Sequence, residues 1–169
     1  MPLITKDHEE FRSAVRRFTE EEIEPIASEL DAKNAEIPTE IIQKMAEQGY
    51  FGIVFPEEYD GLELDNITMS IVAEELSRGW LSVGSVMTRG VIMGTLLMAH
   101  GTEEQKKKYL PGLATGQILP AAAFTEPDSG SDSASMRLKA TKTDGGYLLN
   151  GAKAWCTYAN RANVLMVLA

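Results

Sequence analysis

The sequence predicts an α+β multidomain chain: an N-terminal helical bundle over residues 1–117, then the first part of an antiparallel β-domain over residues 118–169. Two observations predict the division. Apolar residues recur at helical spacing as far as Gln117, and beyond it they alternate or run together as they do in strands. A third observation predicts that the β-domain is truncated. Residues 163–169 carry the branched apolar run Val164 to Leu168 and stop as an open hydrophobic edge. About three or four strands are also few for a closed sheet. The chain is therefore expected to be the N-terminal part of a longer protein or to be completed by another chain.

Residues 5–30 read as the first helix, because Phe11, Val15 and Phe18 fall on one face. Arg16, Arg17 and Glu20 to Glu22 fall mostly on its wet side, and Pro25 ends or kinks it. Residues 31–38 are a polar connection. Pro38 opens a second helix with Ile41, Ile42 and Met45 inward and Gly49 as its stop. Residues 51–56 read as a short extended apolar piece, and Asp60-Gly61 as a turn. Asn66 is the expected cap of a third helix through Ile67, Ile71, Val72 and Leu76, which Gly79 breaks. Glu74 and Glu75 diverge by about 100° on that helix, so they read as a solvated face and not as a paired-carboxylate site. Residues 80–100 read as a long helix, apolar nearly all round and so centrally buried. His100, at its end, reads as a helix-end partner, with no second ligand spaced for a metal. Thr102-Glu103-Glu104-Gln105 is a capping box, and the helix it opens ends near Gly116. Beyond the bundle, residues 119–124 are strand-like and residues 133–143 alternate with period two. Asp144-Gly145-Gly146 is a hairpin turn, and residues 147–156 continue as strand.

Composition narrows the function. The 44% hydrophobic and 24% charged content is that of a globular protein, and 169 residues can bury a core. A net charge of −9 argues against nucleic acid as a partner. Cys156 is the only cysteine, so no internal disulfide is possible, and a cytoplasmic setting is expected. The N-terminus lacks a basic region followed by an apolar run, so it is not read as a signal peptide. Residues 80–100 are long enough to span a bilayer, but Arg89 lies mid-span, at a cost of roughly 2.5–3.5 kcal/mol on insertion scales. No membrane span is expected. Arg89 instead needs a partner, either Glu74 or Glu75 in a packing ion pair or the carboxylate of an acidic ligand.

The stretch Phe124-Thr125-Glu126-Pro127-Asp128-Ser129-Gly130-Ser131-Asp132 joins the two architectures. Its residue types suit an ordinary strand-exit turn. They also suit a pocket wall, since pockets gather where domains meet.

These residues resemble motifs of the acyl-CoA dehydrogenase family. The run from Ala123 to Asp132 is similar to the family's first signature, Ala/Thr-Glu-Pro-x-x-Gly-Ser-Asp. Leu149-Asn150-Gly151-x-Lys153-x-Trp155-x-Thr157 resembles the second, Leu-Asn-Gly-x-Lys-x-Trp-Ile-Thr. The run from Gly101 to Pro111 is similar to the helix before the sheet domain, and Pro56 to Gly61 to the Pro-Glu-x-x-Gly-Gly turn. The four elements, in order, cover essentially the whole chain.

The resemblance implies a helical domain, a middle β-domain and a C-terminal helical domain, the last absent from this chain. It implies FAD-dependent α,β-dehydrogenation of an acyl-CoA thioester, with electron-transfer flavoprotein as electron acceptor and a homotetramer when full length. Alternatives are a non-catalytic flavin- or CoA-binding portion completed by another chain, and a flavin oxidase of the same fold. The implied cofactor wall is Ala122, Ala123, Phe124, Thr125, Gly130, Ser131, Trp155, Cys156 and Thr157. Phe124 and Thr125 would bond the ring edge, Trp155 would pack on the ring, and Thr157 would sit near N5. Cys156 replaces a branched apolar residue of the pattern and reads as a small buried hydrophobe without redox chemistry. Ser131 would also touch the substrate. The catalytic base is expected beyond Ala169, so no carboxylate here, Glu126 included, takes that role, and the 169-residue chain alone is expected to be inactive. The segment from Glu75 to Arg89 resembles the methylsuccinyl-CoA dehydrogenase branch, and glutaryl-CoA dehydrogenases also use an arginine in this region. A short branched dicarboxyl-CoA bound through Arg89 is thus one candidate substrate.

Overall fold

A computed structural model of the protein describes residues 3–169. The chain forms two compact units, one reaching to Ile118 and one beginning at Leu119. The first holds α1 (Lys6–Phe18), α2 (Glu24–Ala32), α3 (Thr39–Glu47), α4 (Asn66–Gly79), α5 (Leu81–His100) and α6 (Glu103–Ala114). The second holds β1 (Pro120–Ala123), β2 (Lys139–Thr143), β3 (Gly146–Asn150) and β4 (Val164–Val167). A helical N-terminal domain followed by a partial β-domain is the predicted fold class.

The first predicted helix is two. A π-helical turn, Thr19–Ile23, separates α1 from α2, and Pro25 lies in the first turn of α2. Proline has no N–H to give to the carbonyl four residues back, and one wide turn absorbs the lost bond. Thr5 caps α1 reciprocally with His8. Pro38 sits just outside α3 as its N-cap. The cap of α4 is Asp65 rather than Asn66: its carboxylate accepts the Thr68 N–H at 2.8 Å. The two residue types cap about equally well, so the sequence alone left the register one residue loose.

Residues 51–56 are turns and not an extended piece. The chain doubles back, with the N–H groups of Leu62, Glu63 and Leu64 donating to Gly52, Phe55 and Ile53. Phe51, Ile53 and Phe55 are all buried. Their apolar density reflects a core plug and not a strand. Gly94 on α5 makes room for it, since a Cβ there would lie 2.1 Å from the Phe55 ring.

The helix α5 packs on α4 and α6. Val83, Val86 and Met87 are buried, while Leu81 and Leu96 stay exposed, so the expected central burial holds for one face only. It is the one described helix whose length and composition would suit a membrane crossing. Trp80 links α4 to α5 in an extended conformation and donates its indole N–H to Asp31 at 3.0 Å. The Thr102 box is formed as read, with bonds of 2.9 and 3.2 Å between Thr102 and Gln105.

The expected solvated pair Glu74–Glu75 is split. Glu74 faces water, whereas Glu75 is 1% exposed. Glu75 accepts from Arg12 at 3.0 Å, from Arg16 at 2.8 and 3.0 Å, and from Arg78 at 3.2 Å. Arg16, placed on the wet side by the sequence, therefore turns part of its guanidinium inward. These bonds tie α1 to α4. The Arg16 hydrogen bonds, helped by Arg12 and Arg78, hold the Glu75 carboxyl down at about 2 against the cost of its burial.

In the second unit β2 and β3 form an antiparallel hairpin across Asp144-Gly145, with Lys139 opposite Asn150 and Thr143 opposite Gly146. Gly145 takes φ +84°, as this tight turn requires. The pair β1–β4 is parallel and not antiparallel, with Pro120 opposite Val164 and Ala123 opposite Val167. The long connection between them, residues 124–163, is what permits a parallel return. The predicted strand over residues 133–143 is paired only in β2; Ser133–Ser135 is a 3-10 turn. Residues 152–156, predicted as strand, are irregular.

Candidate functional site

The signature stretch begins where β1 ends. Glu126 and Ser129 exchange backbone hydrogen bonds of 2.7 and 3.2 Å, closing a β-turn with Pro127 and Asp128 at its tip. The turn reading is therefore right locally. The Ser129 hydroxyl donates to the Asp132 carbonyl at 2.5 Å and stiffens the exit.

The Glu126 side chain turns inward and is 6% exposed. One oxygen accepts the Arg137 N–H at 2.7 Å and the other the Leu138 N–H at 2.9 Å. These two amides are thereby withheld from a ladder, and those of Ser135 and Met136 are used by the 3-10 turn, so the predicted strand starts only at Lys139. Lys153 completes the knot. Its Nζ donates to Glu126 Oε1 and to the Phe124 carbonyl, both at 2.9 Å, and lies 3.4 Å from Met136 Sδ. The Arg137 and Leu138 amides, followed by Lys153, hold the Glu126 carboxyl down at about 2.

Lys153 thus bolts the second signature to the first. Next to it, the Ala154 N–H donates to the Thr125 carbonyl at 2.8 Å. Two residues on, Cys156 Sγ lies 3.5 Å from the Ala122 carbonyl. Cys156 is half-buried, not the buried hydrophobe expected. Residues 122–126 and 153–156 therefore run past each other in opposite senses. Trp155 sits between the anchored positions, 89% exposed and at φ +56°. A bulky residue in the left-handed region is an outlier that surrounding contacts must enforce. At this exposure Trp155 is not a core side chain of the described residues.

Gly151 enters this turn at φ +149°, with Leu138 only 2.7 Å from any added Cβ. Gly130 has no such constraint, its nearest neighbour being Thr125 at 3.9 Å. Among the described residues, no hydrogen bond engages the hydroxyls of Thr125, Ser131 or Thr157. An exposed indole face, free hydroxyls and small neighbours (Ala122, Ala123, Gly130) fit a flat heteroaromatic group with hydrogen-bonding heteroatoms.

Arg89 belongs to the helical unit. Its Nη2 donates to Ser85 Oγ at 3.0 Å, one turn away, while Nε is buried without a hydrogen-bond partner. The ion pair expected with Glu74 or Glu75 is not formed, because Glu74 pairs with Arg12, and Glu75 with Arg12, Arg16 and Arg78.

The sequence reading quoted Lys153 within a motif without giving it a role. A signal was present: Lys153 is the one basic residue in the two signatures, and the first signature carries the acids Glu126, Asp128 and Asp132. Only the fold shows that Lys153 meets Glu126.

A helical domain followed by a partial β-domain, with the two signatures stitched together beside its first strand, is the arrangement to set against known proteins. The chain belongs to the acyl-CoA dehydrogenase family: the N-terminal domain of that family matches residues 5–117, and its middle domain residues 121–169. It is 42% identical to the (2S)-methylsuccinyl-CoA dehydrogenase of Cereibacter sphaeroides over 98% of its own length and 30% of that protein's. A chain from the structural study of the electron transferring flavoprotein of Acidaminococcus fermentans superposes with a TM-score of 0.91 at 33% identity, covering 99% of this chain and 44% of that one. A Mycobacterium smegmatis glutaryl-CoA dehydrogenase solved in complex with FADH2 gives a TM-score of 0.89 at 28% identity, over 98% and 42% of the two chains. This chain thus spans less than half the length of each.

Proposed function

We propose that the full-length protein containing this chain carries out FAD-dependent α,β-dehydrogenation of an acyl-CoA thioester. Family membership and the FADH2 bound by a relative support the cofactor. The observation that carries the reading is Trp155, exposed and held at a left-handed angle beside the Thr125 segment. FAD, when bound, supplies the hydride acceptor. On this reading the Phe124 backbone and the Thr125 hydroxyl bind the ring edge, Trp155 covers the ring face and excludes water, and Thr157 donates near N5. Ser131 reaches the thioester side. Ala122, Ala123, Gly130 and Cys156 leave space for the ring. Glu126 is no base, since both its oxygens are engaged and its carboxyl is held at about 2. On this reading the base is supplied by the rest of the full-length protein.

The same reading takes electron-transfer flavoprotein as acceptor, a homotetrameric assembly and a cytoplasmic location. It extends to substrate: Arg89, with Nε unpaired, binds the distal carboxylate of a short branched dicarboxyl-CoA. The 42% identity to a methylsuccinyl-CoA dehydrogenase supports that choice.

Purified full-length protein should be yellow, and its flavin band should bleach when an acyl-CoA is added anaerobically. Colourless protein that takes up no FAD contradicts the reading. For the substrate, Arg89→Met should lower kcat/KM for the dicarboxyl-CoA by about 10- to 100-fold, the worth of a charge-assisted hydrogen bond, and spare a monocarboxyl acyl-CoA. Equal loss for both, or no loss, removes Arg89 from substrate recognition.

A further inference from the structure

The cofactor wall contains a buried ion pair that touches no free surface of the wall. The Glu126 and Lys153 side chains are 6% and 9% exposed. Ion pairs this buried are weak contributors to stability when set against apolar residues of the same volume. Their use is more often to fix one geometry. Here the geometry is specific. Lys153 stands two residues before Trp155, and its Nζ reaches a backbone carbonyl, a carboxylate and a thioether. All three belong to the Phe124–Met136 segment. Just past Trp155, Cys156 Sγ makes a longer contact, 3.5 Å, with the Ala122 carbonyl. On the lysine side the hold is short and multiple, with the Ala154 N–H also donating to the Thr125 carbonyl at 2.8 Å.

We infer that Glu126 and Lys153 are positioning residues: through the knot they make with Phe124, Arg137 and Leu138, they hold Trp155 in its left-handed, outward conformation and so set the surface that receives the flavin ring. This rests on the flavin-binding reading above. Neither residue touches the reacting atoms. They act through Trp155 and the Thr125 backbone.

The test uses full-length holoprotein and apoprotein with Lys153→Met, Lys153→Arg and Glu126→Gln, with FAD as the probe. Lys153→Met keeps the length and packing of the stem and removes the charge. It should weaken FAD binding or lower kcat by about 10²-fold, the scale of an ångström misplacement at a reacting centre. The visible flavin bands should shift, and KM for acyl-CoA should stay within about threefold. Lys153→Arg restores the donor and should recover most of the loss. Glu126→Gln should give an intermediate loss and serves if the methionine variant does not fold. Wild-type FAD affinity, spectrum and kcat in Lys153→Met overturn the inference. So does an equal loss in the methionine and arginine variants that tracks a fall in thermal stability, which marks the pair as structural only.

A second readout needs no flavin. Trp155 is exposed in this chain, so the part of the apoprotein's iodide quenching that is lost in Trp155→Phe reports Trp155. Lys153→Met should change that quenching, and an unchanged curve overturns the inference. If wild-type protein takes up no FAD, the functional reading fails, and quenching still decides whether the pair controls Trp155.

Discussion

Two carboxylates in this chain are buried and ionised, and they are held by different donors. Glu75 is gripped by three guanidinium groups, two from α1 and one from its own helix α4. Glu126 is gripped by two backbone amides and one lysine. Both carboxyls are held at about 2, Glu75 first through Arg16 and Glu126 first through the Arg137 amide. The difference lies in what each does to the backbone. Donors on side chains leave α1 and α4 regular, so the Glu75 cluster works as a rivet between helices. Donors on the backbone take amides away from a sheet ladder, so the Glu126 knot creates irregular chain. Irregular chain, fixed in place, is where side chains such as Trp155 can be aimed at a ligand.

The comparison breaks first at Glu75. Glu75→Ala removes the acceptor shared by three partly exposed guanidinium groups and should cost about 1–3 kcal/mol in chemical denaturation of the full-length protein. A loss below about 1 kcal/mol would put the cluster with exposed pairs, which are worth little. Glu126→Ala should lower the stability of the helical unit far less, while loosening residues 136–138.

Acid sharpens the same contrast. Both carboxyls are depressed in the fold, so between the ordinary carboxylate range and about pH 2 the unfolded chain binds more protons. Their contribution is fully present above pH ~4.5 and is lost as pH falls toward 2. Thermal melts of Glu75→Gln and Glu126→Gln should each show a shallower acid slope than wild type. Parallel slopes in all three proteins would mean that neither carboxyl is depressed.

A local effect separates two glycines of the signatures. Gly151→Ala meets Leu138 at 2.7 Å and must hold φ +149°, so it should cost about 1–3 kcal/mol. Gly130→Ala meets nothing closer than 3.9 Å and should stay within about 0.5 kcal/mol. Any loss of FAD binding in Gly130→Ala would then come from ligand contact and not from folding. Equal denaturation midpoints for the two variants would remove the steric reason for Gly151.

What the sequence made legible was local. The Thr102 box, the Asp144-Gly145 hairpin and the stops at Gly49 and Gly116 depend on neighbours a few residues apart, and all are formed. Glu75 could not be told from Glu74, because the difference is made by Arg12 and Arg16 on another helix. The Phe51–Phe55 plug looked like a strand because apolar density alone does not report direction. Residues 133–138 alternate properly and still join no strand, because the Ser135 and Met136 amides close a 3-10 turn and Glu126 takes those of Arg137 and Leu138. At the candidate site, resemblance to family motifs supplied the positions. The strain at Trp155 was invisible, since tryptophan carries no preference for a left-handed backbone.

The knot itself is tested most directly by amide hydrogen exchange in the full-length protein, comparing Lys153→Met with wild type. Exchange at Ala154 should speed up by at least about tenfold, with Arg137 and Leu138 following, because local opening governs such amides. Amides of the β2–β3 hairpin should not change. Unaltered exchange at Ala154, Arg137 and Leu138 would contradict the claim that Lys153 and Glu126 stitch the two signatures into one wall.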